Sequence, residues 1–426
     1  MILDRVLDDK ERRFSQLTLR NYWICFAVAQ ACCGGATIQL LAIAMQMPDR
    51  VVAAMGAMNY ASFLVLPLGF MLGGKLGAAA SMRMENFGIA VSGILMALTP
   101  LLGIWVFWGA LIAFLICRST NNAMRFSLQK HIATPEETPA MLARNYMGLY
   151  AFTLAGSLAV ALVLKLKPGI FTLSGVFIAG GVLFALTGWC IGRAFEPSAV
   201  KLQAAKPVWP QVLEAWRMPL MRHQIYVGCL SNLFLASVVP MNILAAKRGL
   251  GTSDSMVILL SALQAVAAVF GSVLVKHITA RFGPRKMMIF AYPLVWLLVA
   301  CWIFMPAEPH PVLMIVPFVL GGLALMGMGT PLESYFLITI PEKLQLGGTF
   351  LVFVVTGGLA GVAGIGMNWG VFKLAEYVIS AGDSMSVFRF YYQVMAAVFA
   401  LGIFAPWSLP GKADEYRKLI KKNQTQ

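Results

Sequence analysis

Twelve apolar stretches, each about as long as a bilayer is thick, follow one another along this 426-residue chain. A helix needs roughly 20 residues to cross about 30 Å of hydrocarbon. The stretches run over 20–46, 51–73, 86–103, 105–128, 140–164, 170–192, 222–246, 255–275, 287–305, 311–337, 347–372 and 387–407. No soluble core could bury so much apolar surface. Charged residues make up 12% of the chain and mean hydropathy is +0.77, whereas soluble domains are about a quarter charged. The fold class expected is therefore all-α integral membrane with twelve transmembrane helices.

The connectors between these stretches set the organisation. The longest polar interruption, 193–221, separates six stretches from six. It divides the chain into an N-terminal six-helix bundle (1–193), a cytoplasmic linker (194–221) and a C-terminal six-helix bundle with a cytoplasmic tail (222–426). The first 19 residues are charged and lack the apolar core and cleavage site of a removed signal peptide, so the first helix is expected to remain. The formal charge of +15 would suggest nucleic acid in a soluble protein, but here the basic residues are scattered among short connectors. Assigning both termini and the even connectors to one side places 26 Lys and Arg there and 7 on the other: Arg50, Lys165, Lys167, Lys247, Arg248, Lys373 and Arg389. Cytoplasmic connectors carry the basic excess, so both termini are expected to be cytoplasmic.

An internal repeat accompanies the six-plus-six division. A shift of 202 residues lays Arg20 on Arg222, Gln30 on Asn232, Ala78 on Ala280, Ser81 on Gly283 and Arg83 on Arg285. With four extra residues in the offset, Pro135-Glu136 falls on Pro341-Glu342. Two parallel six-helix units are the arrangement in which halves rock to expose a midplane site alternately.

The connector ITARFGPRK after the eighth stretch resembles the loop signature of the major facilitator superfamily, roughly G-x-L-a-D-R-x-G-R-R, which recurs after helices 2 and 8. Arg281, Gly283 and Arg285 match it in the second half, and Gly74, Leu76 and Arg83 in the first. The expected Asp is replaced twice, by Ala78 and Ala280. The resemblance implies a secondary transporter of two six-helix bundles; it names no subfamily. Physically, the glycine permits a tight turn, and a basic residue at a helix end meets orphan carbonyls and anionic headgroups.

The stretch FLICRSTNNAMRFSLQK carries the most costly residue for a membrane. Arg118 lies near mid-span, with Asn121, Asn122 and Arg125 three, four and seven residues on, so the four share one side of a helix. An arginine at that depth costs about 2.5–3.5 kcal/mol even on a lenient scale and marks a functional position by default. The spacing is similar to the helix-4 motif l-x-x-x-R-x-x-q-G of proton-coupled exporters of the superfamily, with Asn121 for Gln and Asn122 for Gly. The Gly-Pro pair those exporters carry in helix 5 is absent from NYMGLYAFTLAGSLAVAL, which weakens a drug-efflux reading. Arg118 either binds an anionic substrate group through its planar fork or pairs structurally with a distant Glu. Arg125, nearer the cytoplasm, is expected to gate or anchor.

The resemblance places helices 1, 4, 7 and 10 around the central cavity, which adds Gln30, Thr37, Asn232 and Asn242 to the substrate-binding candidates, with Tyr150 and Gln264 from the neighbouring helices. An amide offers both donor and acceptor to a hydroxyl-rich solute; each could equally bond a neighbouring helix. Of the 18 Asp and Glu, Glu333 is the one the sequence commits to the membrane interior, and it is the candidate coupling residue with Arg118 as counter-charge. The seven cysteines lie within expected helices without metal-ligand or disulfide spacing. The glycine-rich pieces lack the Lys-Ser or Lys-Thr of a phosphate loop and read as helix packing.

With neither convergent acids nor sizeable polar loops, the chain is not expected to be an enzyme, and no cofactor or metal is implied. The function expected is secondary transport of a sugar, sugar acid or other small organic anion by alternating access. Efflux of amphipathic drug or lipid-like compounds and a non-transporting receptor or scaffold are the alternatives. Expected partners are a small-molecule substrate, membrane lipids and a proton as coupling ion, with no nucleic acid and a monomeric state. The expected location is a bacterial cytoplasmic membrane.

Overall fold

The computed structural model describes residues 2–5, 7–132, 138–308, 310–379, 384–400 and 402–409. Its helices, in order, are α1 Asp9–Cys33, α2 Gly35–Ala44, α3 Asp49–Ala61, α4 Leu66–Leu76, α5 Ala78–Ala97, α6 Thr99–Leu102, α7 Ile104–Ile132, α8 Thr138–Leu166 and α9 Ile170–Ile191. After the middle of the chain come α10 Ser198–Ala204, α11 Val208–Arg217, α12 Pro219–Leu244, α13 Asp254–Phe282, α14 Pro284–Ile303, α15 Pro311–Thr339, α16 Gln345–Phe350, α17 Ala360–Val378 and α18 Ser384–Ala400. A 3₁₀ turn, Ser62–Val65, joins α3 to α4, and π-helical stretches follow α12 (Ala245–Gly249) and α16 (Leu351–Leu359). The only strands among the described residues, β1 Ile2–Leu3 and β2 Glu196–Pro197, pair in parallel.

Eleven helical stretches among the described residues are long and apolar enough to cross a membrane. The twelfth position is held by α5, whose 20 residues include Arg83 and Glu85 near its start. The protein is an integral, multi-pass membrane protein. Hydropathy misplaced α5, which runs over Ala78–Ala97 rather than the expected 86–103. Its polar first turns escape a hydropathy reading, whereas its true start is fixed by Gly77. That residue sits at φ +89°, a conformation that suits glycine, ends α4 and leads into α5.

Local chemistry marks other helix ends. Asp8 and Glu11 form a reciprocal capping box at the start of α1. Gly34, extended at ψ −179°, separates α1 from α2. Pro219, Pro284 and Pro311 stand in the first turns of α12, α14 and α15, where a missing N–H costs nothing. The expected linker, 194–221, is largely structured, holding β2, α10 and α11.

The residues form two compact units, Met1–Gln46 with Ser62–Pro207, and Met47–Ala61 with Val208–Gln426. In the first, α5 packs on α7 and α9, and α1 on α8 and α9. Small residues bring these helices close: a Cβ on Gly180 would lie 2.8 Å from the Cβ of Cys32. In the second, α15 packs on α13 and α14, and α3 on α12 and α17. There Gly361 abuts the Tyr60–Ala61 backbone so closely that a side chain would collide with it. Asn368 Nδ2 donates to the Ala53 carbonyl at 3.0 Å, and Arg248–Asp49 and Arg50–Glu376 ion pairs join at 3.2 and 3.4 Å.

Candidate functional site

Helix α7 carries Arg118, Asn121, Asn122 and Arg125 as its sequence suggests, but the helix turns them to different tasks. Asn121 is buried against α1 and α5, accepting from Tyr22 Oη at 2.9 Å and donating to the Met82 carbonyl at 3.3 Å. Asn122 is half-buried and returns its amide to the Arg118 carbonyl at 3.2 Å. Arg118 and Arg125 are both half-buried, and Arg125 lies 5.2 Å above the Trp23 ring.

Beneath these residues lies a polar cluster that the sequence reading missed. Glu85 on α5 is 2% exposed. Its Oε1 accepts from Ser81 Oγ at 3.1 Å, and its Oε2 has no hydrogen-bond partner. Thr120 faces it from α7, with its hydroxyl directed to the Ile116 and Cys117 carbonyls at 3.0 Å. Asn86, one residue on, donates to the Met82 carbonyl at 2.7 Å and lies beside Tyr22. Glu85 is thus a buried acidic candidate in addition to Glu333. Glu85 was passed over because it stands one residue before the apolar window that hydropathy chose. Glu333 lies in α15, but its side chain falls outside the described residues.

The remaining candidates are distributed over both units. In the first, Gln30 and Tyr150 are half-buried, and Thr37 is buried with its hydroxyl on the Gly34 carbonyl at 2.9 Å. In the second, half-buried Asn232 donates to Thr356 Oγ1 at 3.0 Å, and Gln264 is half-buried where α13 meets α15. Asn242 is fully buried. Its Oδ1 accepts from Trp302 Nε1 at 2.8 Å and Tyr392 Oη at 3.2 Å, and its Nδ2 faces the Pro317 carbonyl at 3.4 Å.

The loop motif is built differently in its two copies. Gly283 has φ +85°, ψ 166° between α13 and α14, and Gly77 has φ +89°, ψ 167° between α4 and α5. These turns are equivalent, so Gly283 corresponds to Gly77 rather than to Ser81, and the local offset is 206 rather than 202. Lys75 then matches Arg281, each in the last turn before its glycine. Gly74 packs against the backbone of Ala205, 3.1 Å from where its Cβ would be. Arg281 stands 5.3 Å from the Phe282 ring, Arg285 4.9 Å from Trp407 and Arg83 5.8 Å from Phe87. Such cation–π contacts contribute about 0.5–1 kcal/mol at exposed sites.

Glu196 does for α5 what no loop Asp is present to do. Its Oε2 accepts from the backbone N–H of Ala78 at 2.8 Å and of Ala79 at 3.1 Å, satisfying two donors of the first turn. The second copy has Pro284 at the position of Ala78 and so one donor fewer. Burial pushes the Glu196 carboxyl above its ordinary range, against the opposing pull of the Ala79 and Ala78 N–H groups. Among the described residues no cluster of three or more His, Cys, Asp or Glu could hold a metal ion.

Solved structures of membrane transporters share this fold. The fold is similar to that of an auto-inhibited POT family peptide transporter (TM-score 0.68, 11% identity, 92% of this chain and 96% of that one). It is equally similar to the nucleoside transporter NupG (0.67, 11%, 92% and 98%) and to a D-xylose-proton symporter (0.67, 13%, 94% and 98%). No family model matches the chain, and no curated protein matches it in sequence. The chain has the major facilitator fold, as the loop signature suggested.

Proposed function

We propose that the protein is a secondary transporter that moves a small polar organic solute, a sugar, sugar acid or other organic anion, by alternating access. The observation that carries this reading is the half-buried Arg118 in the apolar length of α7, beside the half-buried amide of Asn122. A guanidinium at membrane depth is costly unless it serves a wet, polar task, and its fork suits a carboxylate or a pair of hydroxyls. The similar structures, a nucleoside transporter and a D-xylose-proton symporter, handle polar organic solutes on the same fold. In our reading Gln30 and Tyr150 are further polar candidates of the first unit, and Asn232 and Gln264 are the polar candidates of the second. The coupling ion is a proton carried by Glu333 or by Glu85, whose Oε2 is unpartnered.

Uptake into proteoliposomes, preceded by a thermal-shift screen against sugars, sugar acids, amino acids and hydrophobic cations, tests the proposal. Arg118→Lys should weaken apparent affinity and Arg118→Gln should abolish uptake while leaving insertion intact. Glu85→Gln and Glu333→Gln should separate proton-driven accumulation from exchange. Undiminished uptake in Arg118→Gln, or stabilisation by hydrophobic cations alone, would refute this assignment.

A further inference from the structure

In the second unit, just before α12 in the chain, α11 presents three unlike faces. Val212 and Ala215 are buried in a cluster with Met221, Ile225, Phe336 and Leu351, fixing one face to the protein. Trp209, Leu213 and Trp216 are 66%, 60% and 44% exposed. At spacings of four and three they form one continuous stripe, roughly a quarter-turn from the buried face. Glu214 and Arg217 occupy the remaining side, and Glu214 is paired with Lys343 at 3.6 Å.

The position of this stripe is set by the chain. One residue, Met218, extended at φ −72°, ψ 121°, separates α11 from α12, whose span begins at Pro219. An aromatic stripe tied that closely to the end of a spanning helix suits headgroup depth, where Trp rings are favoured. The surrounding charge suits the same place. Arg217, Arg222 and His223 are exposed, and Arg222 Nε donates to the Trp216 carbonyl at 3.0 Å, holding a guanidinium beside the stripe. Glu214 is the one acid in α11.

We propose that α11 is an interfacial anchor that lays Trp209, Leu213 and Trp216 into the headgroup boundary and binds anionic lipid through Arg217 and Arg222. The linker then grips the membrane beside the first turn of α12 and makes the second unit responsive to lipid charge. Apolar burial supplies depth and the two arginines supply selectivity, each worth roughly fivefold in partition near an anionic surface. The proposal does not depend on which solute is carried.

The test uses the full chain in vesicles of brominated phosphatidylcholine with and without phosphatidylglycerol, comparing tryptophan emission of the parent with Trp209→Phe/Trp216→Phe. The emission lost in that variant should be the part quenched by brominated lipid and shielded from aqueous iodide. Quenching should deepen with phosphatidylglycerol. Arg217→Glu/Arg222→Glu, which keeps both tryptophans, should lose the dependence on phosphatidylglycerol. Iodide-accessible emission indifferent to brominated lipid, as a surface for a soluble protein partner would give, overturns the proposal. So does an unchanged lipid-charge dependence in the double Glu variant.

Discussion

Replacing Glu196 tests whether a carboxylate from the middle of the chain holds the first loop turn. Glu196→Ala removes the acceptor for the Ala78 and Ala79 N–H groups, whose residues are 0% and 1% exposed, so water is poorly placed to substitute. Each buried donor left unmade costs about 1–3 kcal/mol, partly offset because a desolvated carboxylate is also removed, which leaves about 2–4 kcal/mol. At roughly 2–4 °C per kcal/mol for units of this size, the melting temperature of the detergent-solubilised protein should fall by about 5–10 °C. Glu196→Gln keeps a carbonyl oxygen able to accept both bonds and should melt near the parent. The two also differ with pH. The folded carboxyl holds its proton to higher pH than an unfolded one, so this group favours the fold most below its ordinary value of 4.5. That contribution is lost as pH rises through the folded value. Glu196→Gln should flatten this part of the stability profile. A parental melting temperature in Glu196→Ala would refute the capping argument, and a Gln variant as unstable as Ala would assign the effect to charge instead.

Asn242→Ala should strand Trp302 Nε1 and Tyr392 Oη inside the second unit and cost about 1–3 kcal/mol. Thermal melting should register it while substrate affinity holds; lost affinity at an unchanged melting temperature would make Asn242 a ligand-binding residue. Gly361→Leu should force α17 away from the Tyr60–Ala61 backbone at about 1–3 kcal/mol or more. Gly366→Ala, with nothing near its Cβ, should be neutral in the same melting assay. Labelling of single cysteines introduced at the exposed Lys206, near Ala204, and at the exposed Lys165 should find the first on the cytoplasmic side and the second outside, and the reverse pattern would invert the topology.

What the sequence disclosed and what it hid follow from two kinds of signal. Helix number and type were legible because a bilayer demands about 20 apolar residues per crossing, a requirement written in composition alone. The arginine of α7 was legible for the same reason, as a costly exception. Glu196 and Glu85 were hidden for different reasons: Glu196 meets Ala78 across more than a hundred residues, and Glu85 meets Ser81 four residues away, inside a helix start too polar to read as a span. The repeat shows how a small register error propagates. An offset of 202 matched arginines, which connectors tolerate anywhere, whereas the backbone matches the positive-φ glycines Gly77 and Gly283 at 206. The same offset pairs the break at Gly34 with Pro240, the proline inside α12. Gln30 then falls opposite Ala236, and Asn232 opposite Phe26, so the two amides stand one helical turn out of register. A residue whose backbone conformation is constrained is therefore the safer guide to internal symmetry than a shared charge.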